Sequence, residues 1–379
     1  MSAAANEAAD ASAHADGAHA ADVMDGAWAV VLAGGVGSRF WPMSTPSRPK
    51  QLLALVDEHP LLTNTLARLT PLVPAARTLV LTNAALRDAV RALIPELPPE
   101  NVIAEPAPAG TCAALTWAAR EVATRGGRGA VMVCVHADWA VADAAGFRTS
   151  LRRAAAAAAA HASLVTVGIV PTRDDPGFGY IQPGDVVADA SGDGSDGQAS
   201  DGQVRHVARF VEKPTRERAA RMRADGYLWN SGIFVWRAGD FLDEVDALAP
   251  EVAPALRASG GDIARFFADV TPVAVDVAVM ERSGRVLVIP GDFGWDDVGT
   301  WGALGRVRRR DGADNAPSGA VFALDARRNV VHADGNAVVL YGVDDLVVVT
   351  RPGLTLVTTS DRSSDLKALL DALPAAFRD

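Results

Sequence analysis

From Trp28 onward, short apolar runs alternate with segments of helical spacing. WAVV at 28–31, TLVLTN at 78–83 and GAVMVCVHAD at 129–138 have the length and β-branched content of buried strands, whereas AALRDAVRALI at 84–94 and residues 111–125 read as helices. The poly-Ala run at 154–160 is strong helix propensity, and SLVTVGIVP after it reads as a further strand. This alternation predicts an α/β fold built on a mostly parallel mixed sheet. The pattern lapses at 184–203, a Gly/Ser/Asp-rich stretch with too little apolar area to bury, which predicts a flexible surface loop. It resumes with VRHVARFVEKP at 204–214, a helix over about 215–225 and a strand at SGIFVWRA.

A second lapse, DGADNAPSG at 311–319, predicts a domain boundary. Beyond it NVVHAD, NAVVLYG, DLVVVTR and LTLVTTSD are spaced by Gly, Asp and Pro, predicting a small β-rich C-terminal domain over 313–379 with a last helix at 364–372. The main domain spans 27–312. Residues 1–26, rich in Ala, Asp and His without apolar periodicity, read as a disordered leader.

Composition narrows the function. A chain of 379 residues with 49% apolar content can bury sizeable cores, and its net charge of −10 argues against nucleic-acid or anionic-membrane partners. Any anionic substrate must then be held by a local basic cluster. No apolar run approaches the roughly 18 residues of a membrane span. Cys112 and Cys134 sit in apolar contexts without metal-ligand spacing, as reduced core residues of a cytoplasmic protein do.

The strongest chemical signal is LAGGVGSRFWP at 32–42, directly after the first strand. Gly34, Gly35 and Gly37 allow the backbone to turn successive N–H groups toward an anion, and Ser38, Arg39 and Lys50 lie on the same stretch. The spacing fits neither a dinucleotide fingerprint nor a P-loop, because Phe40 stands where the third glycine belongs and no Gly-Lys-Ser/Thr follows. A phosphate-binding turn and a plain strand-to-loop connection both fit the bare pattern; the basic pair favours phosphate.

Ligands of open α/β sheets bind at strand carboxyl ends. Asp138 follows such a run and is either a Mg²⁺ ligand or a helix cap, and Asp297, within FGWDDVGTW at 293–301, is its candidate partner. FVEKP at 210–214 places Glu212 and Lys213 at a strand end, WNSG at 229–232 places Asn230 before a small-residue turn, and Gly110 opens a helix against which a base could lie. No Gly-x-Ser-x-Gly elbow and no Cys/His pair offers a covalent nucleophile. Phosphates, metal and positioning remain, and nucleotidyl transfer needs little else.

Taken together, LAGGVGSRFWP, RPKQLL, FGYI at 178–181, FVEKP, WNSGIF, VDVAVMER at 275–282 and WDDVGTW closely resemble the mannose-1-phosphate guanylyltransferases, with GVDDLVVVT at 342–350 resembling their C-terminal domain. The resemblance implies a Rossmann-like nucleotidyltransferase domain and a small β domain supporting a homodimer. It implies that the phosphate of mannose 1-phosphate attacks the α-phosphorus of GTP and releases pyrophosphate. Gly35, Gly37, Arg39 and Lys50 would hold the triphosphate and Asp138 and Asp297 the Mg²⁺. Lys213 would hold the sugar phosphate, with Gly179, Tyr180, Glu212 and Asn230 around the sugar; Asp276 and Glu281 match the family pattern as well. Two departures stand out. Ala109-Gly110-Thr111 resembles the loop of thymidylyl- and uridylyltransferases, and Trp139 replaces the usual His after Asp138. Another base, another sugar, or a catalytically silent GDP-mannose-binding relative are the alternatives.

Overall fold

A computed structural model describes residues 23–35, 37–187, 203–374 and 377. The expected leader up to residue 22 and most of the 184–203 loop lie outside the described residues. Met24, inside the expected leader, is buried and its carbonyl accepts from Ala27 N–H, so the folded chain begins before Trp28. Packing divides the chain into two compact units, one comprising Arg68–His136, Asp143–Phe293 and the described residues up to Leu32, the other Ala33–Ala67, Ala137–Ala142 and the residues from Gly294 on.

The first unit carries nine strands: β1 (Trp28–Leu32), β2 (Thr78–Asn83), β3 (Val102–Glu105), β4 (Val131–His136), β5 (Leu164–Ile169), β6 (Tyr180–Val186), β7 (Arg205–Val211), β8 (Leu228–Arg237) and β9 (Val286–Gly291). They form one sheet in the order β3-β2-β1-β4-β8-β5-β9-β7-β6. Strands β1 to β4 run parallel and so do β5 and β9, while β8 lies antiparallel between β4 and β5. Strands β6 and β7 pair antiparallel at the far edge. The sheet is thus mixed, and the antiparallel insertion of β8 is invisible to pattern because a strand covered on both faces is apolar in either direction.

Two helices explain the alanine content. Gly110–Gly126 buries Cys112 through Ala119 and Val122, and Ala144–His161 packs on β5, β8 and β9 through Ala154, Ala155, Ala157 and Ala158. Small side chains let each helix approach the sheet closely while retaining the highest helix propensity. Asp143 caps the second helix by accepting from Ala145 N–H at 2.9 Å. Cys112 and Cys134 are buried free thiols, and burial pushes the Cys112 thiol up to about 12. At the sheet's end Trp236 stacks on Phe241 with centroids 4.2 Å apart.

In the second unit, strands β10 (Ala316–Ser318), β12 (Val330–Ala333), β14 (Leu346–Arg351) and β15 (Leu354–Thr359) form a four-stranded sheet. Beside them β11 (Val321–Leu324) pairs in parallel with β13 (Val338–Tyr341). The predicted β-rich region is therefore real, and most of its ladders are parallel, made of successive short rungs. Its core extends well before residue 313. Phe40, Trp41, Leu53, Leu61 and Trp301 pack with Val330, Val347 and Val349, and Trp301 Nε1 donates to the Trp41 carbonyl at 2.9 Å. Among the described residues, no helix is long and apolar enough to cross a membrane.

Candidate active site

Within the second unit, the glycine loop, Lys50, Asp138 and Asp297 come together. Gly37 has φ +66°, and a Cβ there would collide with the Cβ of Lys50, so only glycine lets the loop lie against that lysine. Ser44 Oγ donates to the Gly37 carbonyl at 2.6 Å and Gln51 Nε2 to the Ala33 carbonyl at 2.7 Å, pinning the loop at both ends. Gly34 and Gly35 are exposed, as is Arg39; the Ser38 side chain lies outside the described residues.

Lys50 is 6% exposed, an environment an ammonium tolerates only when paired. It donates to Asp138 Oδ2 at 3.1 Å and to the Asp297 backbone carbonyl at 2.7 Å. What brings two acids so far apart in sequence to one lysine is a short antiparallel ribbon. Ala140–Val141 pairs with Trp295–Asp296, Asp296 facing Ala140, so one further step along the ladder sets Asp297 beside the 138–139 segment. Trp139 and Trp295 meet edge to face at 5.8 Å and lock the ribbon. Asp138 is not a helix cap; Asp143 has that role.

The carboxyl of Asp297 is pushed above the usual carboxylate range by burial and by the adjacent Asp296, against the pull of Lys50, Arg39 and Arg306. A half-buried acid reluctant to ionise alone is one a cation would favour. Two carboxylates near one ammonium, one bonded to it and the other feeling its charge, are the kind of oxygen donors magnesium takes. The residues present therefore fit Mg²⁺, although among the described residues no cluster of three or more metal-ligating side chains exists.

Asp296 has a different task, one that sequence spacing did not separate from its neighbour's. It is 4% exposed, receives a two-pronged ion pair from Arg306 at 2.9 and 3.2 Å, and accepts from Val298 N–H at 2.9 Å. Val298 itself sits at φ +46°, costly for a β-branched residue and held by this anchoring.

A second group assembles in the first unit. Asn230 Nδ2 donates to Asp276 Oδ1 at 2.7 Å, and Asn230 N–H to the Gly179 carbonyl at 2.8 Å. Gly179 lies under Glu212, whose Oε2 would be 2.8 Å from a Cβ added there. Burial, then Asp276 and Glu212, raise the Glu281 carboxyl above its usual range, so three acids lie near one another. Lys213 Nζ is 3.5 Å from Glu212 Oε1, well exposed, and its backbone is left-handed at φ +39° two residues after β7. Asn230 lies inside β8 rather than before a turn, at the irregularity where β8 shifts register against β5.

Three further expected ligand residues make contacts within the protein. Tyr180 is fully buried and its hydroxyl donates to the Asp175 carbonyl at 3.0 Å, so its ring does not reach a sugar. Gly110, at φ +79°, turns its Cβ side against the Val273 carbonyl while remaining exposed, and Thr111 Oγ1 accepts from Val275 N–H at 2.9 Å. Both residues anchor the segment leading to Asp276. The group that sequence reading missed is Glu105, the last residue of β3, whose carboxyl burial pushes up to about 7. Its place at a parallel strand's carboxyl end was the available signal.

Comparison with known proteins finds relatives over most of the chain. A family model described as nucleotidyl transferase matches residues 28–313, and one described as a mannose-phosphate isomerase/GMP-like beta-helix domain matches 319–373. A mannose-1-phosphate guanylyltransferase of Escherichia coli is 35% identical over 357 residues, 91% of this chain and 73% of that protein. A xanthan biosynthesis protein of Xanthomonas campestris is 34% identical over 92% of this chain and 73% of its own length. A Thermus thermophilus structure described as a mannose-1-phosphate geranyltransferase superposes with TM-score 0.81 at 30% identity, covering 91% of this chain and 98% of the other.

Proposed function

Because the chain belongs to the nucleotidyl transferase family and 91% of it aligns with 73% of a mannose-1-phosphate guanylyltransferase, we propose that it transfers GMP from GTP to α-D-mannose 1-phosphate, releasing pyrophosphate. The observation that carries this reading is Lys50, a buried ammonium bonded to Asp138 and to the backbone of Asp297 behind a glycine loop. Such a group has the charge to receive a triphosphate and the carboxylates to receive a cation.

Each residue then has a proposed part. Gly34, Gly35 and Gly37 bring backbone N–H groups to the phosphates, and Arg39 and Lys50 neutralise charge that grows on the departing pyrophosphate. Asp138 and Asp297 hold Mg²⁺, which when bound withdraws charge from the phosphate oxygens. Lys213, fixed in a left-handed backbone and steadied by Glu212, orients the attacking sugar phosphate. Asn230, Glu212 and Asp276 accept and donate to sugar hydroxyls. No covalent intermediate is required, since the sugar phosphate oxygen is itself the nucleophile. We assign Glu105, at the carboxyl end of β3, to the base, since a guanine edge presents two donors to a carboxylate and a thymine or uracil ring one.

Buried free cysteines fit a reducing cytoplasm. A homodimer is supported by the outward face of β11 and β13. Phe322 pairs in register with Val339 and Leu324 with Tyr341, and all four are more than half exposed. The reaction itself is tested by pyrophosphate release over GTP, ATP, UTP and dTTP against a panel of sugar 1-phosphates. GTP with mannose 1-phosphate is expected to exceed the other pairs by at least tenfold; preference for dTTP or UTP would assign the chain to the other branch of the family.

A further inference from the structure

A cavity of about 550 Å³ in the second unit is lined by Arg48, Arg308 and Arg309 and by Asp57, Glu58 and Asp334. It lies apart from Lys50, Asp138 and Asp297, none of which lines it. Arg308 is 5% exposed, yet among the described residues no carboxylate pairs with it. Its donors go to the Leu55 carbonyl at 2.6 Å, the Val331 carbonyl at 3.0 Å and His332 Nδ1 at 3.0 Å. An arginine can only donate, so Nδ1 must accept and His332 is neutral. Burial and the neighbouring Arg308 hold the imidazole down to about 4.

A buried guanidinium held by neutral acceptors keeps its full charge, and burying a charge without a counter-ion is among the costliest arrangements a fold can retain. Two more arginines share the cavity, Arg48 and Arg309, both exposed and, among the described residues, without an ion pair. Arg48 is close enough to bear on His332, and Asp334 acts on the same ring with the opposite sign. Three arginines that form no ion pair among the described residues line one cavity, and an anion would supply their counter-charge. The three carboxylates beside them call for something else, since they would repel a bare anion and accept from hydroxyl groups. The volume falls within the roughly 300–1,000 Å³ of small-molecule sites.

We propose that this cavity is a second small-molecule site that takes a sugar phosphate, its phosphomonoester held by Arg48, Arg308 and Arg309 and its hydroxyls by Asp57, Glu58 and Asp334. The assignment is independent of the reaction proposed above. Arg308 is built into the core, so the test uses the exposed pair. Isothermal titration of the full-length protein with glucose 6-phosphate, inorganic phosphate and glucose compares the wild type with the Arg48→Ala/Arg309→Ala double variant and with Lys213→Ala. Glucose 6-phosphate is expected to bind the wild type at least tenfold more tightly than either fragment. The double variant loses at least tenfold in that affinity while its melting temperature holds, and Lys213→Ala binds as the wild type does. Absence of binding to the wild type, equal binding by the double variant, or loss in Lys213→Ala instead, each overturns the proposal.

Discussion

At the scale of single residues, Lys213 makes the sharpest claim, because a left-handed non-glycine backbone is retained there although it costs about 1 kcal/mol or more. Lys213→Ala removes one charge-assisted contact to the sugar phosphate, about 1.5–3 kcal/mol or roughly ten- to a hundredfold. Initial-rate kinetics should place that loss in the KM for the sugar phosphate and leave the KM for GTP within about twofold; equal rises in both would detach Lys213 from the sugar. Glu105 makes a claim about pH. Its carboxyl ionises in the fold at about 7 rather than near 4.5, so the folded state keeps a proton that the unfolded chain gives up. The stability this represents is present below about 4.5 and lost as pH rises toward and past 7, at most about 3 kcal/mol. Melting curves of Glu105→Gln between pH 5 and 8 should be flatter than those of the wild type; parallel curves would contradict the buried acid.

At the scale of elements, the main strands and helices were legible because burial repeats along them: WAVV, TLVLTN and the Ala-rich helix each lie where periodicity placed them. What the pattern could not carry was direction and partner choice. Strand β8 reads like any buried strand, and only its pairing reveals it as the antiparallel insertion that carries Asn230 mid-strand. In the same way, Asp296 and Asp297 were two adjacent acids in sequence, and the two-residue ribbon splits their tasks. Alternation sends one toward Arg306 and leaves the other beside Lys50. Arg306→Met removes the exposed arginine that pairs with the buried Asp296 and should cost about 1–3 kcal/mol. Thermal denaturation reads this as a clear drop in Tm, whereas Asp296→Asn/Arg306→Met, which removes both charges, should recover much of it. If the double variant is no more stable than Arg306→Met, the pair does not hold this turn.

At the scale of the whole molecule, the Gly-rich loop and the WDDVGTW turn belong to the same compact unit as the C-terminal β domain, an association no linear boundary at 311–319 could show. Its long-range packing of Phe40 and Trp41 on Trp301 joins segments some 260 residues apart. The apolar rows of β11 and β13 carry the oligomer prediction. Val339→Glu/Tyr341→Glu should convert a dimer into a monomer by light scattering after gel filtration, and an unchanged mass would move the contact elsewhere. The central claim is that Asp138 and Asp297 act together on one Mg²⁺ with Lys50 behind them. It is tested most directly by the turnover of Asp138→Asn, Asp297→Asn and the double variant at saturating Mg²⁺, with melting curves confirming the fold. Each single change should lower kcat by orders of magnitude, and the double should be little worse than either, because residues serving one ion are lost as a unit. Losses that multiply, or an active Asp297→Asn, would contradict it.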